Sequence, residues 1–179
     1  MNQPNITVLA VDDSQDILFA LSAICELEGW RTLTTTEGSE AIELVRQSRP
    51  DIVLVDYHMP RMDGIEVVRN IRAADPAVPI VVLTIESSRA VADSFLAAGA
   101  DDFALKPIKP IDLISRIRVH LRAAGRAAAP AASAEKGDQP ARGNALAVPD
   151  EYVKGISPLT LSIICNFLRF QKEFLTINE

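Results

Sequence analysis

Several apolar runs of this chain end in a charged or hydroxyl side chain. Asp56 closes the run 52–55 and opens a loop bounded by proline and glycine, a pattern typical of a buried strand that ends in a turn. Other runs end similarly, at Asp12 and Asp13, at Thr84, and at Lys106. Ligand chemistry in parallel sheets lies at the carboxyl ends of the strands. We therefore predict one site with three carboxylates, a hydroxyl and an ammonium group, and interpret it as a site that accepts a phosphoryl group.

The carboxylates of Asp12, Asp13 and Asp56 would repel one another in a single cleft. At ~4 Å and an effective dielectric constant of ~20, each pair costs about 4 kcal/mol, so the site calls for a cation. Hard oxygen ligands completed by water suit Mg²⁺. In this interpretation Asp56 is the nucleophile and forms an acyl phosphate. Lys106 pairs with the new charge, and Thr84 donates a hydrogen bond to a phosphoryl oxygen.

Strand and helix patterns alternate five times between residues 6 and 121. The predicted strands are apolar or β-branched runs, at 6–11, 31–36, 52–55, 79–83 and 102–105. Each is followed by apolar residues at helical spacing, as at Ile17, Leu21 and Ile24 after the first strand. This alternation predicts an α/β domain, with a parallel sheet covered by helices on both faces.

The composition limits the class of protein. The formal net charge of -6 argues against general affinity for nucleic acid or membrane surfaces, and a hydrophobic content of 48% is enough for a core. No apolar stretch approaches the ~20 residues of a membrane span, and the N-terminus lacks the basic segment of a signal peptide. Cys25 and Cys165 lie far apart in apolar helical patterns, so we expect structural roles for both. We expect a soluble cytoplasmic protein without membrane contact.

Three segments of different character follow one another along the chain. We predict a domain over residues 1–124, a flexible linker over 125–149 and an incomplete helical segment over 150–179. The linker is rich in alanine, proline and glycine and lacks large apolar side chains, so it cannot bury enough surface to fold. Because alanine favours helices, an alternative is that the last helix of the domain continues towards Pro130.

Four motifs resemble the receiver domain of two-component response regulators, over about residues 5–123. They are Val11-Asp12-Asp13-Ser14, Asp56-Tyr57-His58-Met59-Pro60-Arg61-Met62-Asp63-Gly64, Leu83-Thr84, and Ala98-Gly99-Ala100-Asp101-Asp102-Phe103 running into Lys106-Pro107. The resemblance implies a flavodoxin-like (βα)5 doubly wound fold with the sheet order 2-1-3-4-5. It also implies that Asp56 is the phosphoacceptor and that a histidine kinase is the phosphodonor.

The same resemblance assigns further roles around the phosphoacceptor. The metal ligands that it implies are Asp13, Asp56 and the main-chain carbonyl of His58, with Asp12 acting through water. Thr84 and Phe103 match a switch pair, in which the hydroxyl moves towards the phosphoryl group and the aromatic ring turns inward. The Lys106–Pro107 peptide bond is expected to be cis.

His58 and Glu86 occupy two positions that tune the hydrolysis of the acyl phosphate in that family, and both are less common choices there. Our hypothesis is that Glu86, by orienting water, and His58 set the lifetime of the phosphorylated state. The alternative is that both are solvated loop residues. On the last helix, His120 is predicted to be a surface residue rather than a ligand.

The tail has helix signals of its own. Ser157-Pro158 opens an apolar helical pattern, and Thr176 and Glu179 form a capping box, which predicts a helix start where the chain ends. Residues 154–174 are similar to the opening of the effector domain of citrate/dicarboxylate-type response regulators, truncated before the recognition helix. DNA binding needs cationic contacts, and the tail has no basic cluster. We expect no specific DNA binding by this chain, whether it is a truncated gene product or a fragment.

The favoured function is a phosphorylation-dependent signalling switch, not an enzyme beyond slow hydrolysis of its own acyl phosphate. Its output, ancestrally transcription, would pass through the fourth helix, fifth strand and fifth helix, around residues 91–122, as homodimerisation or partner binding. One alternative is a degenerate receiver that binds partners without phosphorylation. Another is a phosphatase of the haloacid-dehalogenase type, but that family requires an Asp where His58 stands.

Overall fold

Strands and helices alternate strictly along the domain. The structure, a computed structural model, describes residues 6–59 and 62–125. Its elements are β1 (Thr7–Val11), α1 (Gln15–Leu27), β2 (Arg31–Thr35), α2 (Gly38–Ser48), β3 (Ile52–Asp56), α3 (Gly64–Ala74), β4 (Ile80–Thr84), α4 (Arg89–Ala98), β5 (Asp102–Leu105) and α5 (Pro110–Ala123). The strand bounds match the predicted ones to within one residue. The predicted tail, and the predicted linker beyond Gly125, lie outside the described residues.

The five strands form one parallel sheet in the order β2-β1-β3-β4-β5, which confirms the predicted flavodoxin-like topology. The register keeps the carboxyl ends of neighbouring strands level. Val11 pairs with Thr35 and with Val55, and Thr84 pairs with Leu105. The residues that follow these strands are therefore placed along one edge of the sheet.

Helices cover both faces of the sheet because successive strand residues point to opposite sides. In β1, Val8 and Ala10 belong to the core shared with α1 and α5, whereas Leu9 and Val11 belong to the core shared with α2, α3 and α4. All five residues of β3 and of β4 are buried. This double burial explains why the central strands read as continuous apolar runs.

The ends of α1 and α5 carry residue types that favour helix starts and stops. The Ser14 side chain caps α1 and accepts a hydrogen bond from the Ile17 N–H at 3.5 Å. Pro110 lies in the first turn of α5. Helix α5 ends at Ala123, and Gly125 has a left-handed φ of 68°. The alternative that this helix continues towards Pro130 is therefore wrong, because a left-handed glycine terminates helical geometry.

Cys25 is fully buried in the core shared with α1 and α5. Burial raises the pKa of its thiol to about 11, so the side chain is a neutral core group at physiological pH, in agreement with the predicted structural role. Cys165 lies outside the described residues. Among residues 6–59 and 62–125, no helix is long and apolar enough to cross a membrane.

Candidate functional site

Three acidic side chains converge where β1 and β3 end. One oxygen from each of Asp12, Asp13 and Asp56 lies within 4.8 Å of the others. Asp12 and Asp56 are buried, with 1% and 5% of their surface exposed, whereas Asp13 is exposed. Because the strand ends lie level, the three carboxylates come together, as the sequence predicts. The pocket that they line is open on the side of Asp13.

Lys106 supplies the positive charge of the site. Its Nζ lies 2.8 Å from Asp12 Oδ2 and 2.7 Å from Asp56 Oδ1, and only 9% of its side chain is exposed. The Lys106 N–H donates to the Thr84 carbonyl at 2.7 Å. The peptide bond between Lys106 and Pro107 is cis, the isomer that the resemblance implies. Lys106 directly follows β5, and its ammonium group thus lies between the carboxylates of Asp12 and Asp56, which stand at the ends of β1 and β3.

Burial controls the protonation of the two buried carboxylates more strongly than their pairing with Lys106 does. Desolvation raises the pKa of Asp56 to about 6, although Lys106 opposes this shift, and the neighbouring charge of Asp12 adds to it. Desolvation also raises the pKa of Asp12 against the attraction of Lys106. Burial lowers the pKa of Lys106, but Asp12 and Asp56 outweigh it, so the net shift is upward. The ammonium group stays charged while the carboxylates are poised to bind a further cation.

The donor set fits Mg²⁺. The closely spaced ligands are all carboxylate oxygens, which are the hard donors that this ion prefers. One ammonium group offsets only part of the charge of three carboxylates. A divalent cation bound beside Asp13 and Asp56 would neutralise the remainder.

Thr84 and Phe103 lie on the strands next to the pocket. Thr84 is fully buried at the end of β4, and its hydroxyl oxygen accepts a hydrogen bond from the Glu86 N–H at 2.9 Å. Phe103 is half-buried and packs against the core shared with α2, α3 and α4. The structure thus places the hydroxyl of Thr84 at the edge of the site and the Phe103 ring on the α4 side of the sheet.

His58 and Glu86 stand at the mouth of the pocket. Their side chains are about half exposed, and His58 Nε2 lies 3.8 Å from Glu86 Oε1. The His58 ring also meets the Tyr57 ring edge-on, with 4.4 Å between centroids. The contact between His58 and Glu86 joins two residues that are 28 positions apart in the sequence. Pro60 and Arg61 of the same loop lie outside the described residues.

Gly64 is a residue of the site that sequence reasoning used only as a turn marker. Its N–H donates to the Tyr57 carbonyl at 3.2 Å. A Cβ at this position would lie 2.8 Å from the Asp56 carbonyl oxygen and 2.8 Å from the Tyr57 Cα. These are backbone atoms, so they cannot turn away as a side chain can. Glycine therefore allows α3 to start directly against the main chain that carries Asp56.

Replacing Gly64 by alanine is expected to lower the free energy of unfolding by about 1–3 kcal/mol, because the added methyl overpacks the main chain, and also to weaken Mg²⁺ binding. Urea denaturation and calorimetric Mg²⁺ titration measure the two effects. Val68→Ala, a cavity mutation at a buried position of the same helix, is the control. It should lose stability with unchanged Mg²⁺ affinity. Equal Mg²⁺ affinities in Gly64→Ala and wild type would contradict this role.

His120, predicted to be a surface residue rather than a ligand, is partly buried and has a side-chain partner. Only 18% of its side chain is exposed, and its Nε2 lies 3.2 Å from Asp102 Oδ2. Arg116, one turn earlier on α5, donates to the same oxygen at 2.6 Å. Burial raises the pKa of Asp102, but the hydrogen bonds from Arg116 and His120 outweigh it and lower the pKa below its usual value. The sequence signal was the i, i+4 spacing of Arg116 and His120, which places both side chains on one helix face.

Comparison with known proteins identifies the domain. The family of response regulator receiver domains matches residues 8–118 of the chain. The chain belongs to this family. The receiver domain is 42% identical over 115 residues to the DNA-binding response regulator MtrA of Mycolicibacterium smegmatis, covering 64% of this chain and 50% of that protein. It is 39% identical over 121 residues to the transcriptional regulatory protein PrrA of Mycobacterium tuberculosis, covering 68% and 52%. The match thus spans about half the length of these relatives.

Solved structures agree with the receiver fold. A CheY-like receiver domain protein from Methanospirillum hungatei has a TM-score of 0.65 at 26% sequence identity, covering 68% of this chain and 98% of that one. The chemotaxis protein CheY4 of Vibrio cholerae has a TM-score of 0.62 at 32% identity, covering 64% and 98%. This chain therefore contains a receiver domain of two-component response regulators.

Proposed function

We propose that this receiver accepts a phosphoryl group on Asp56 from the phosphohistidine of a histidine kinase. An Asp56 carboxylate oxygen forms the new bond to phosphorus while the bond between phosphorus and the histidine nitrogen breaks. The observation that carries the proposal is the convergence of Asp12, Asp13, Asp56 and Lys106 at one sheet edge. No more than slow self-dephosphorylation is proposed as enzymatic activity.

Each residue of the site has a separate role in the proposed phosphoryl transfer. With a pKa of about 6, Asp56 is ionised at neutral pH and can act as a nucleophile. Lys106 stays close to Asp56 and pairs with the incoming charge, and the Thr84 hydroxyl turns from the Glu86 N–H to donate to a phosphoryl oxygen. Bound Mg²⁺ would screen the negative charge that gathers between the phosphoryl group and the carboxylates.

The proposed ligands of Mg²⁺ are Asp13, Asp56 and the main-chain carbonyl of His58, with Asp12 acting through water. The hydrogen bonds of Asp12 support its indirect role. Its Oδ1 accepts from the Ser14 N–H at 3.0 Å, and its Oδ2 accepts from Lys106. Both oxygens therefore have protein donors, which suits a carboxylate that orients a water molecule rather than one that binds the ion directly.

Intact mass spectrometry after incubation with Mg²⁺ and acetyl phosphate tests the proposal on wild type and on Asp56→Asn. A single phosphoryl adduct is expected in wild type alone, and EDTA added before the donor should prevent it. If wild type binds Mg²⁺ and forms no adduct, the chain is a degenerate receiver that binds partners without phosphorylation.

The pair at the pocket mouth is proposed to set the lifetime of the acyl phosphate. Glu86 can accept a proton from the attacking water, and His58, 3.8 Å away, restrains its carboxylate. Glu86→Ala is therefore expected to slow dephosphorylation by about tenfold, and His58→Asn to change the rate as well. The decay of the adduct measures both, with Glu66→Ala, an exposed carboxylate on α3, as the control. A His58→Asn variant with the wild-type rate would remove His58 from the proposal.

The proposed output is a shift in a pre-existing conformational equilibrium through Thr84 and Phe103, read at the face formed by α4, β5 and α5. Exposed apolar side chains on these elements support homodimerisation or partner binding there; they are Leu96, Leu105, Ile111 and Val119. The chain spans only half of relatives that regulate transcription. Because the formal net charge of the chain is -6, we propose that residues 1–179 do not bind DNA specifically. We also propose that the chain acts in the cytoplasm.

A further inference from the structure

Tyr57 lies between the pocket mouth and helix α4. Its ring meets the His58 ring with 4.4 Å between centroids and 68° between planes, and the Phe95 ring with 4.9 Å and 82°. Both contacts are edge-to-face, an arrangement that the aromatic quadrupole favours. The three rings therefore form a continuous row from the half-exposed mouth of the pocket to the buried side of α4.

The main chain holds Tyr57 firmly next to the phosphoacceptor. Its N–H donates to the Leu83 carbonyl at 3.0 Å, and its carbonyl accepts from the N–H groups of Met59 and Gly64, each at 3.2 Å. The side chain of a tyrosine has few rotatable bonds. A change in the backbone at Asp56 and Tyr57 is therefore carried directly to the ring.

Helix α4 is anchored in the core by few side chains. Its buried residues are Phe95 and Ala98, and Phe95 is the larger, with 0% exposure. The ring of Phe95 packs in the core shared with α2 and α3, to which Tyr57 also belongs. Because Phe95 is the one large side chain among the buried residues of this helix, the packing of its ring bears directly on the position of α4.

We propose that the Tyr57–Phe95 contact couples the state of the phosphoacceptor site to the position of α4, as a second connection beside Thr84 and Phe103. The inference rests on the proposed function. Thr84 and Phe103 act from β4 and β5, whereas Tyr57 acts from the loop after β3 directly on the helix. Coupling between two sites is reciprocal in its free energy, so a change at Phe95 must also alter the pocket.

The first test follows α4 during phosphorylation. Tyr57→Leu removes the ring and keeps an apolar side chain, and Tyr57→Phe is the matched control that retains the ring. Amide hydrogen exchange of Arg89–Ala98 is measured in Mg²⁺ with and without acetyl phosphate, and intact mass gives the phosphorylated fraction. At equal phosphorylation, the change in α4 exchange should be at least about threefold smaller in Tyr57→Leu than in wild type and Tyr57→Phe. An undiminished change in Tyr57→Leu overturns the proposal.

The second test needs no phosphoryl transfer. Mg²⁺ affinity is measured by calorimetry for Phe95→Leu and for Ala97→Ser, a control at an exposed position of the same helix. Phe95→Leu should change the dissociation constant about two- to tenfold, and Ala97→Ser should leave it unchanged. Should Phe95→Leu not fold, Tyr57→Leu takes its place. The two proposals fail on different results. The absence of a phosphoryl adduct in wild type would contradict the proposed function, whereas an unchanged Mg²⁺ affinity in these variants would overturn the coupling.

Discussion

Replacing Lys106 by methionine is expected to lower the free energy of unfolding by about 3–5 kcal/mol in the absence of divalent cations. The Nζ of Lys106 bridges Asp12 and Asp56 at 2.8 and 2.7 Å, and all three side chains are at least nine-tenths buried. Without the ammonium group, two buried carboxylates face each other with no compensating charge. The same loss should abolish most phosphorylation, because the incoming phosphoryl charge has no cationic partner.

Urea denaturation at neutral pH, with and without Mg²⁺, measures this effect. Lys109→Met removes an exposed lysine three residues further along and should change stability by less than about 0.5 kcal/mol. Mg²⁺ should bind the Lys106→Met pocket more tightly than wild type, since a competing cation is gone, and should restore part of the lost stability by mass action. A loss similar to that of Lys109→Met would show that the ion pairs at this site contribute little.

The stability of the metal-free receiver is expected to fall as the pH rises through the range in which Asp56 ionises. The pKa of Asp56 is raised from 3.8 to about 6 in the folded state, so the folded protein binds this proton more tightly than the unfolded chain. The stabilisation that this bound proton provides is fully present below the pKa of Asp56 in the unfolded chain, and it is lost above about pH 6. It amounts to about 2 kcal/mol between about pH 4.5 and pH 7. The raised pKa of Asp12 acts in the same direction.

Comparing the pH dependence of unfolding in wild type and Asp56→Asn isolates this term, because other groups titrate in both proteins. The difference between the two free energies should shift by about 2 kcal/mol over that range in favour of the variant. Saturating Mg²⁺ should reduce the wild-type fall, since it favours the ionised carboxylates, and Mg²⁺ affinity should decline below about pH 6. Parallel pH profiles for the two proteins would contradict the raised pKa.

The sequence predicts this fold well because its strands carry clear signals. Continuous apolar runs such as Ile80–Leu83 are needed where both sides of a strand are buried, and the five alternations leave few topologies. The approach of Asp12, Asp13, Asp56 and Lys106 follows from the same logic, since each stands at a strand end. Propensity and spacing therefore predict both the sheet and the charged centre of the site.

The features that could not be predicted are close contacts between residues that are far apart in the sequence or whose approach depends on packing. Nothing in the motif indicates that Gly64 touches the main chain of Asp56, that Tyr57 meets Phe95 on another helix, or that the Thr84 oxygen is held by Glu86. The partner of His120 was missed for the same reason. Asp102 and His120 belong to a strand and a helix whose relative rotation is fixed only by core packing.

Helix α5 starts three residues after the Lys106–Pro107 step and carries the chain away from the reaction centre. Its 14 residues, at ~1.5 Å each, place the end of the helix about 21 Å from its start. The point at which further residues join the domain is thus physically separate from the carboxylates. The carboxylates and the end of the described domain are therefore separate parts, so substitutions near Gly125 are expected to leave the geometry of the pocket unchanged.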